Sequence, residues 1–202
     1  MSRIILVRHG ETVWHEENRY AGLSDVALTV RGEAQANQLA AWATGAGITA
    51  VWSSPLSRAY NTAAPVAKAL GLPLQTEERL IELGFGLGEG LTSAEMSLQF
   101  PEAFAAFRAD PVKNFLPEGE DPVHAAGRGI SALGEIARTS SKRSLVVAHS
   151  TLLRLVLCQL LGIPLSRYRA VFPSFDNCSL TEIDIDPDRN VSILQFNASI
   201  HP

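Results

Sequence analysis

The chain has 202 residues, of which 46% are hydrophobic and 19% charged, and its formal net charge at pH 7 is -4. A chain of this length can form one domain with a substantial core. Its acidic balance is not typical of general nucleic-acid binding, so we expect no nucleic-acid partner. No apolar run is long enough to cross a membrane and no secretory signal is recognisable, so we expect a cytoplasmic protein without membrane contact.

Strand-like and helix-like segments alternate along the chain, which favours one α/β domain with a mostly parallel sheet. In chain order, the strands are predicted at 3–7, 50–53, 144–148, 178–185 and 191–196, and the main helices at 29–44, 54–71, 121–138 and 151–161. Thr29 is expected to cap the first helix, and Ser54 and Pro55 are expected to open the second.

The remaining segments lack a strong pattern. Residues 92–108 have a moderately helical pattern that Pro101 interrupts, and residues 9–28 and 111–122 are predicted to be loops. A loop of twenty residues inside one domain is uncommon unless it builds a site. The last two strands are expected to be joined by a turn at 186–190.

The two cysteines, Cys158 and Cys178, form no Cys-x-x-Cys pair and have no histidines at metal-ligand spacing. We therefore expect buried, reduced thiols and no zinc site.

The most informative motif is Arg8-His9-Gly10-Glu11, which directly follows the apolar run 4–7. A second predicted strand ends at His149. Open α/β sheets bind ligands at the carboxyl ends of their strands, so both histidines are expected at one edge of the sheet. The guanidinium group of Arg8 has a fork of donors that suits a phosphate anion.

These residues have the chemistry that phosphoryl transfer requires. A neutral imidazole can attack phosphorus if a backbone carbonyl holds its other ring nitrogen as N–H, and His9 is the candidate nucleophile. Arg8 and Arg58 are candidate phosphate ligands, with Arg58 near the positive end of a helix. His149 would donate to the phosphate oxygens. Glu82 would protonate the leaving alcohol and then activate water, although three other glutamates, Glu77, Glu78 and Glu89, lie nearby.

In the same order, these motifs resemble the signature of the histidine phosphatase superfamily, also called the phosphoglycerate mutase-like fold. The resemblance covers nearly the whole chain. It implies a single-domain three-layer αβα sandwich, phosphorylation of His9, phosphate binding by Arg8, Arg58 and His149, and proton transfer by Glu82. It implies no metal and no cofactor, and it is compatible with a homodimer. The matching blocks lie at 6–12, 53–59, 79–82, 117–120, 147–149 and 177–179.

Two positions depart from the family pattern. His15 stands where many members have asparagine, which leaves a phosphate contact from that position open. Ser150 follows the second histidine where glycine is frequent, and its hydroxyl could either touch the substrate or cap the following helix. Asn18 is a further candidate for substrate contact in the same loop as His15.

The resulting hypothesis is a metal-independent phosphatase that acts on a small-molecule phosphomonoester through a phosphohistidine. A phosphoglycerate mutase is the nearest alternative. Mutases of the cofactor-dependent type have a longer insertion between the glutamate and the second histidine, which favours hydrolysis here. A protein phosphatase and a non-catalytic binding module are further alternatives. The sequence Gly-x-x-x-x-Gly-Lys is absent, which excludes a P-loop kinase or ATPase.

Overall fold

The computed structural model describes residues 2–139, 142–186 and 191–200. Among these residues six strands form one sheet, with the order β3-β2-β4-β1-β5-β6. The first four strands in this order are parallel, while β5 runs antiparallel to both β1 and β6. The mostly parallel sheet predicted from the sequence is therefore confirmed. The strands are β1 (Ser2–Arg8), β2 (Ala50–Ser53), β3 (Leu74–Thr76), β4 (Arg143–Ala148), β5 (Leu180–Ile185) and β6 (Val191–Ala198).

Helices cover both faces of the sheet. The α-helices are α1 (Val30–Ala43), α2 (Ser57–Leu70), α3 (Ser93–Gln99), α4 (Pro101–Ala109), α5 (Pro122–Thr139), α6 (Ser150–Leu160) and α7 (Tyr168–Val171). Short 3-10 turns occupy Glu78–Leu80, Gly86–Gly88 and Leu165–Arg167. None of the helices within the described residues has the length and apolar character that a membrane span requires.

The side chains of β1 alternate between two hydrophobic cores, as successive residues of a strand must. Ile5 and Val7 belong to the core that contains the buried faces of α1 and α2. Ile4 and Leu6 belong to the core on the other face, which contains the buried residues of α5 and α6. A strand that is buried on both faces is typical of the central part of a three-layer αβα sandwich.

The predicted helix starts are right for α1 and wrong for α2. Thr29 caps α1, and its side chain accepts a hydrogen bond from the amide of Gly32. The helix α2 begins at Ser57, so its N-cap is Leu56, two residues later than the predicted cap Ser54, and Leu56 supplies no side-chain bond. The hydroxyl of Ser54 accepts from the amide of Leu56 at 3.3 Å, before the helix starts, and is bonded to His149 at 2.8 Å. Ser54 is therefore part of the sheet edge and not a helix cap.

The other predicted breaks lie close to their observed positions. Pro101 is the first residue of α4 and separates it from α3, because proline suits the first turn of a helix and not its interior. The long segment after β1 has no helix or strand before α1. Of the predicted turn at 186–190, residues 187–190 lie outside the described residues.

Both cysteines are buried free thiols, as the sequence predicts. Burial raises the pKa of Cys178 to about 12 and also raises that of Cys158, so both thiols are protonated at neutral pH.

Candidate active site

Three polar side chains meet at one edge of the sheet because each directly follows a parallel strand. His9 follows β1, His149 follows β4 and Ser54 follows β2. The register pairs Arg8 with Ala148, so the two histidines leave the sheet side by side. Their ring centres lie 5.2 Å apart. The predicted meeting of both histidines at one sheet edge is therefore present in the structure.

The imidazole of His9 is buried and held in one tautomer. Its Nδ1 lies 2.7 Å from the carbonyl oxygen of Gly10. A carbonyl oxygen can only accept, so Nδ1 carries the proton and Nε2 keeps its lone pair. Burial, together with the charges of Arg8 and Arg58, lowers the pKa of His9 well below its ordinary value. The ring is therefore neutral at neutral pH, as a nucleophile requires.

The glycine after His9 is required by close packing. A side chain at Gly10 would place Cβ 2.7 Å from the carbonyl oxygen of Gly32 at the start of α1. The amide of Gly10 donates to the hydroxyl of Thr62 at 2.9 Å. This residue thus fits the His9 backbone against α1 and α2.

The guanidinium group of Arg8 is fixed by neutral partners. It donates to the carbonyl oxygen of Phe175 at 2.8 Å and to Nε2 of His15 at 2.7 Å. Its Nε is buried and has no hydrogen-bond partner among the described residues. Burial lowers the pKa of Arg8 to about 10, which leaves it charged at neutral pH. Arg8 therefore keeps an uncompensated positive charge beside His9.

The side chain of His15 is a hydrogen-bond partner of Arg8 in this structure. Since arginine can only donate, Nε2 of His15 accepts from Arg8, and Nδ1 lies 2.8 Å from the hydroxyl and 3.1 Å from the amide nitrogen of Thr12. Burial and the charge of Arg8 lower the pKa of His15 to about 4. Asn177 links this pair to the backbone of His9, because its side-chain amide lies 2.7 Å from the His9 carbonyl oxygen and 3.3 Å from Nε2 of His15.

His149 is fully buried between Arg58 and Ser54. The Nε of Arg58 donates to its Nδ1 at 3.2 Å, and its Nε2 lies 2.8 Å from the hydroxyl of Ser54. Burial, followed by the charge of Arg58, lowers the pKa of His149 well below its ordinary value. The neutral ring therefore has its proton on Nε2, where it can serve as a hydrogen-bond donor.

The rest of the Arg58 fork holds the loop at residues 21–24. Its terminal nitrogens donate to the carbonyl oxygens of Gly22 at 2.6 Å and Ser24 at 2.7 Å. The amides of the same loop donate to Glu89, whose carboxylate accepts from Gly22, Leu23 and Ser24 at 3.1 to 3.3 Å. An arginine and a carboxylate thus fix opposite sides of one loop.

Glu82 is buried at the N-terminus of α6. Its carboxylate accepts from the amides of Leu83 and Leu152 at 2.8 Å and of Thr151 at 3.0 Å. Two of these amides belong to the first turn of the helix, which favours an anionic partner. The backbone of Glu82 is held in turn by Arg128, which donates to its carbonyl oxygen at 3.0 Å and to that of Ile81 at 2.6 Å.

A cavity of about 400 Å³ opens beside His9. Arg8, His15, Asn18, Glu82 and Ser150 line it, whereas Arg58 and His149 are fully buried behind it. Ser150 is the first residue of α6, and no side-chain bond is made at the helix cap. The capping alternative for Ser150 is therefore wrong, and its contact with substrate stays a prediction.

The competing glutamates have other partners. Glu77 pairs with Arg79 at 2.6 Å, Glu78 is exposed, and Glu89 holds the loop at residues 21–24. Of these four carboxylates, only Glu82 lines the cavity.

Sequence reasoning missed Ser54, although its place directly after a strand matches that of both histidines. The described residues contain no group of three or more His, Cys, Asp or Glu side chains arranged to hold a metal ion.

The buried imidazoles should make stability depend on pH. In the unfolded chain a histidine titrates near pH 6.5, whereas the pKa of folded His15 is about 4. The unfolded state therefore binds more protons below pH 6.5, and the free energy of unfolding falls as the pH decreases. The free energy of unfolding of the wild type should fall between pH 6.5 and 5.5, and we expect His15→Asn to reduce this fall by at most about 1 kcal/mol. Urea unfolding at both pH values measures this difference.

The matched control is His124→Gln, because His124 is exposed. Its loss of stability on acidification should equal that of the wild type. An equal loss in wild type and His15→Asn would contradict the assignment of a neutral, buried His15.

Comparison with known proteins agrees with this geometry. The family model of the histidine phosphatase superfamily (branch 1) matches residues 4–198. Phosphoserine phosphatase 1 of Hydrogenobacter thermophilus is 34% identical over 202 residues, which is all of this chain and 94% of that protein. A probable phosphoglycerate mutase GpmB of Proteus mirabilis is 36% identical over 186 residues, covering 91% of this chain and 85% of that protein.

A solved structure has the same fold along nearly the whole chain. A mycobacterial glucosyl-3-phosphoglycerate phosphatase superposes with a TM-score of 0.89 at 27% identity, covering 98% of this chain and 100% of that one. The resemblance predicted from the motifs is therefore confirmed. The chain belongs to the histidine phosphatase superfamily and is an enzyme that acts on small phosphomonoesters.

Proposed function

We propose that this enzyme hydrolyses its phosphomonoester through a phosphohistidine formed on Nε2 of His9. The observation that carries the proposal is the contact of 2.7 Å between Nδ1 of His9 and the carbonyl oxygen of Gly10. It leaves the lone pair on Nε2, in a neutral ring that borders the cavity. A buried nucleophile in a fixed orientation needs little reorganisation before it attacks.

In the first step the Nε2 lone pair attacks phosphorus and the ester P–O bond breaks. Arg8 and Arg58 supply positive charge to the site, and His149, whose Nε2 lies 2.8 Å from the Ser54 hydroxyl, exchanges that partner for a phosphoryl oxygen. None of these three residues forms an ion pair with a carboxylate among the described residues, so an incoming anion does not have to displace an acidic partner.

Glu82 handles the proton in both steps. It donates a proton to the leaving oxygen, which departs as an alcohol. Its carboxylate then takes a proton from water while the water oxygen attacks phosphorus and the P–N bond breaks, which releases inorganic phosphate and regenerates His9. Glu82 lines the cavity, and the three amides that fix its carboxylate favour the charged form, which takes the proton from water in the second step.

Hydrolysis is favoured over phosphoryl transfer between two positions of a substrate. A mutase must keep water out while its intermediate reorients, whereas Asn18 and Arg108 of the cavity wall are exposed to solvent. The mutase stays a second candidate because one of the relatives is named a probable phosphoglycerate mutase. The relatives named as phosphatases are named for different alcohols, which agrees with a shared phosphoryl site.

Cytoplasmic location, homodimer formation and the lack of a nucleic-acid partner stay predictions from the sequence.

Replacement of the nucleophile tests the phosphohistidine. We expect His9→Ala to lower kcat on p-nitrophenyl phosphate by at least about 10³-fold, because no other group in the site can form the intermediate. Rapid quench after mixing with ³²P-labelled phosphoester should give acid-labile label on the wild type and on the exposed-site control His124→Ala. Equal acid-labile label on His9→Ala would contradict the proposal.

The leaving group separates acid catalysis from a structural role of Glu82. An alkyl alcohol needs a proton when it leaves, whereas p-nitrophenolate does not. We therefore expect Glu82→Gln to lower kcat/KM by about 10²- to 10⁴-fold for an alkyl phosphate, and far less for p-nitrophenyl phosphate. Since kcat/KM reports only the steps up to loss of the alcohol, hydrolysis of the intermediate does not affect it. The matched control is Glu78→Gln at an exposed position, and equal slowing of both substrates by Glu82→Gln would count against acid catalysis.

Product analysis distinguishes hydrolase from mutase. With 3-phosphoglycerate as the probe, we expect inorganic phosphate to form faster than 2-phosphoglycerate, because water reaches the cavity. Both products can be followed in one reaction by ³¹P NMR. A rate of isomerisation above the rate of phosphate release would favour the mutase.

A further inference from the structure

The cavity wall beyond Arg8 is unusually basic for an acidic chain. Arg19, Arg108, Arg154 and Arg169 line it together with Arg8. Arg19 is neutralised by Glu17 at 2.5 Å and Glu95 at 2.9 Å.

No carboxylate among the described residues forms an ion pair with the other three arginines. The chain as a whole has a net charge of -4, so this local excess of positive charge does not follow from composition.

Arg169 is held rigidly in the wall. Its guanidinium carbon lies 4.7 Å from the ring centre of Phe107 and 5.3 Å from that of Tyr168. These contacts with two aromatic rings and a side-chain hydrogen bond to Tyr168 restrict the guanidinium group. Phe107 is buried and directly precedes Arg108 in α4, so the backbone that carries Arg108 is anchored by the ring that Arg169 contacts.

Arg154 is partly buried next to this cluster. One terminal nitrogen donates to the carbonyl oxygen of Pro173 at 3.3 Å, and its Nε is buried without a partner among the described residues. Burial lowers the pKa of Arg154, the nearby Tyr168 and Glu82 oppose this shift, and the charge of Arg169 adds to it. Unpaired like charges held together cost free energy in the empty protein, and a bound anion would remove that cost.

We propose that Arg108, Arg154 and Arg169 form a second anion subsite, and that the leaving alcohol of the natural substrate carries a carboxylate or a second phosphate group. This inference rests on the proposed function, which places the scissile phosphate at His9. A cavity of about 400 Å³ limits the substrate to a small molecule. The arginines would bind the far end of that molecule and so select it from neutral phosphoesters.

Three phosphonates test the subsite without turnover, because their P–C bond is not hydrolysed. Butylphosphonate has one anionic group, 4-phosphonobutanoate adds a carboxylate, and butane-1,4-diphosphonate adds a second phosphonate. We expect calorimetry at fixed ionic strength to show that one or both of the doubly anionic probes bind at least about tenfold more tightly than butylphosphonate. The tighter of the two identifies the preferred anion.

The arginine variants then locate the subsite. For each protein we divide the dissociation constant of butylphosphonate by that of the tighter doubly anionic probe. In Arg108→Gln and Arg169→Gln, this ratio should fall at least about threefold toward one. Arg108 is exposed, so its replacement leaves the fold intact. Arg138→Gln, which removes an exposed arginine of α5 outside the cavity, should keep the wild-type ratio.

Equal affinity of the wild type for all three probes would overturn the subsite, and so would an unchanged ratio in both variants when their affinity for butylphosphonate equals that of the wild type. A loss of fold would weaken all probes together and leave the ratio in place, so it cannot imitate the expected result. Failure of the proposed function would be seen separately, as absence of p-nitrophenyl phosphate hydrolysis by the wild type.

Discussion

Parallel pairing between β1 and β4 aligns Arg8 with Ala148 and thereby places His9 and His149 side by side at the sheet edge. The amide of His9 continues this pairing by donating to the carbonyl oxygen of Ala148 at 3.0 Å. Because both strands are buried on two faces, neither can shift its register without moving apolar side chains out of the core. The position of His9, the proposed nucleophile, is thus fixed by the same interactions that hold the sheet together.

The charges of the site are satisfied by neutral groups. Arg58 donates to loop carbonyls and to His149, Arg8 to a carbonyl and to His15, and Glu82 accepts from amides. Backbone partners hold these side chains in place without cancelling their charge. The electrostatic field of the arginines is therefore available to a phosphoryl group bound beside His9. The same arrangement continues along the wall that contains Arg169.

Local sequence patterns predicted most elements because their signals are short-range. Thr29 caps α1 through its own side chain, and Pro101 separates α3 from α4 through its missing amide hydrogen. The start of α2 was predicted wrongly for the opposite reason. Ser54 has the local pattern of a helix cap, but its hydroxyl is bonded to a histidine 95 positions away. A contact of that sequence separation leaves no trace in the local pattern.

The sequence alone determined the fold class and the alternation of strands and helices, because strand periodicity is a property of neighbouring residues, and the Arg-His-Gly motif marked candidates for phosphate chemistry. Only the tertiary structure decided which strands are neighbours, that Glu82 and not Glu77 or Glu89 faces the cavity, and that Arg58 lies behind it while fixing a loop. It also brought Arg108, Arg154 and Arg169 from three separate helices to one wall. These features depend on contacts between distant segments, which form only when the hydrophobic faces of all the layers pack together.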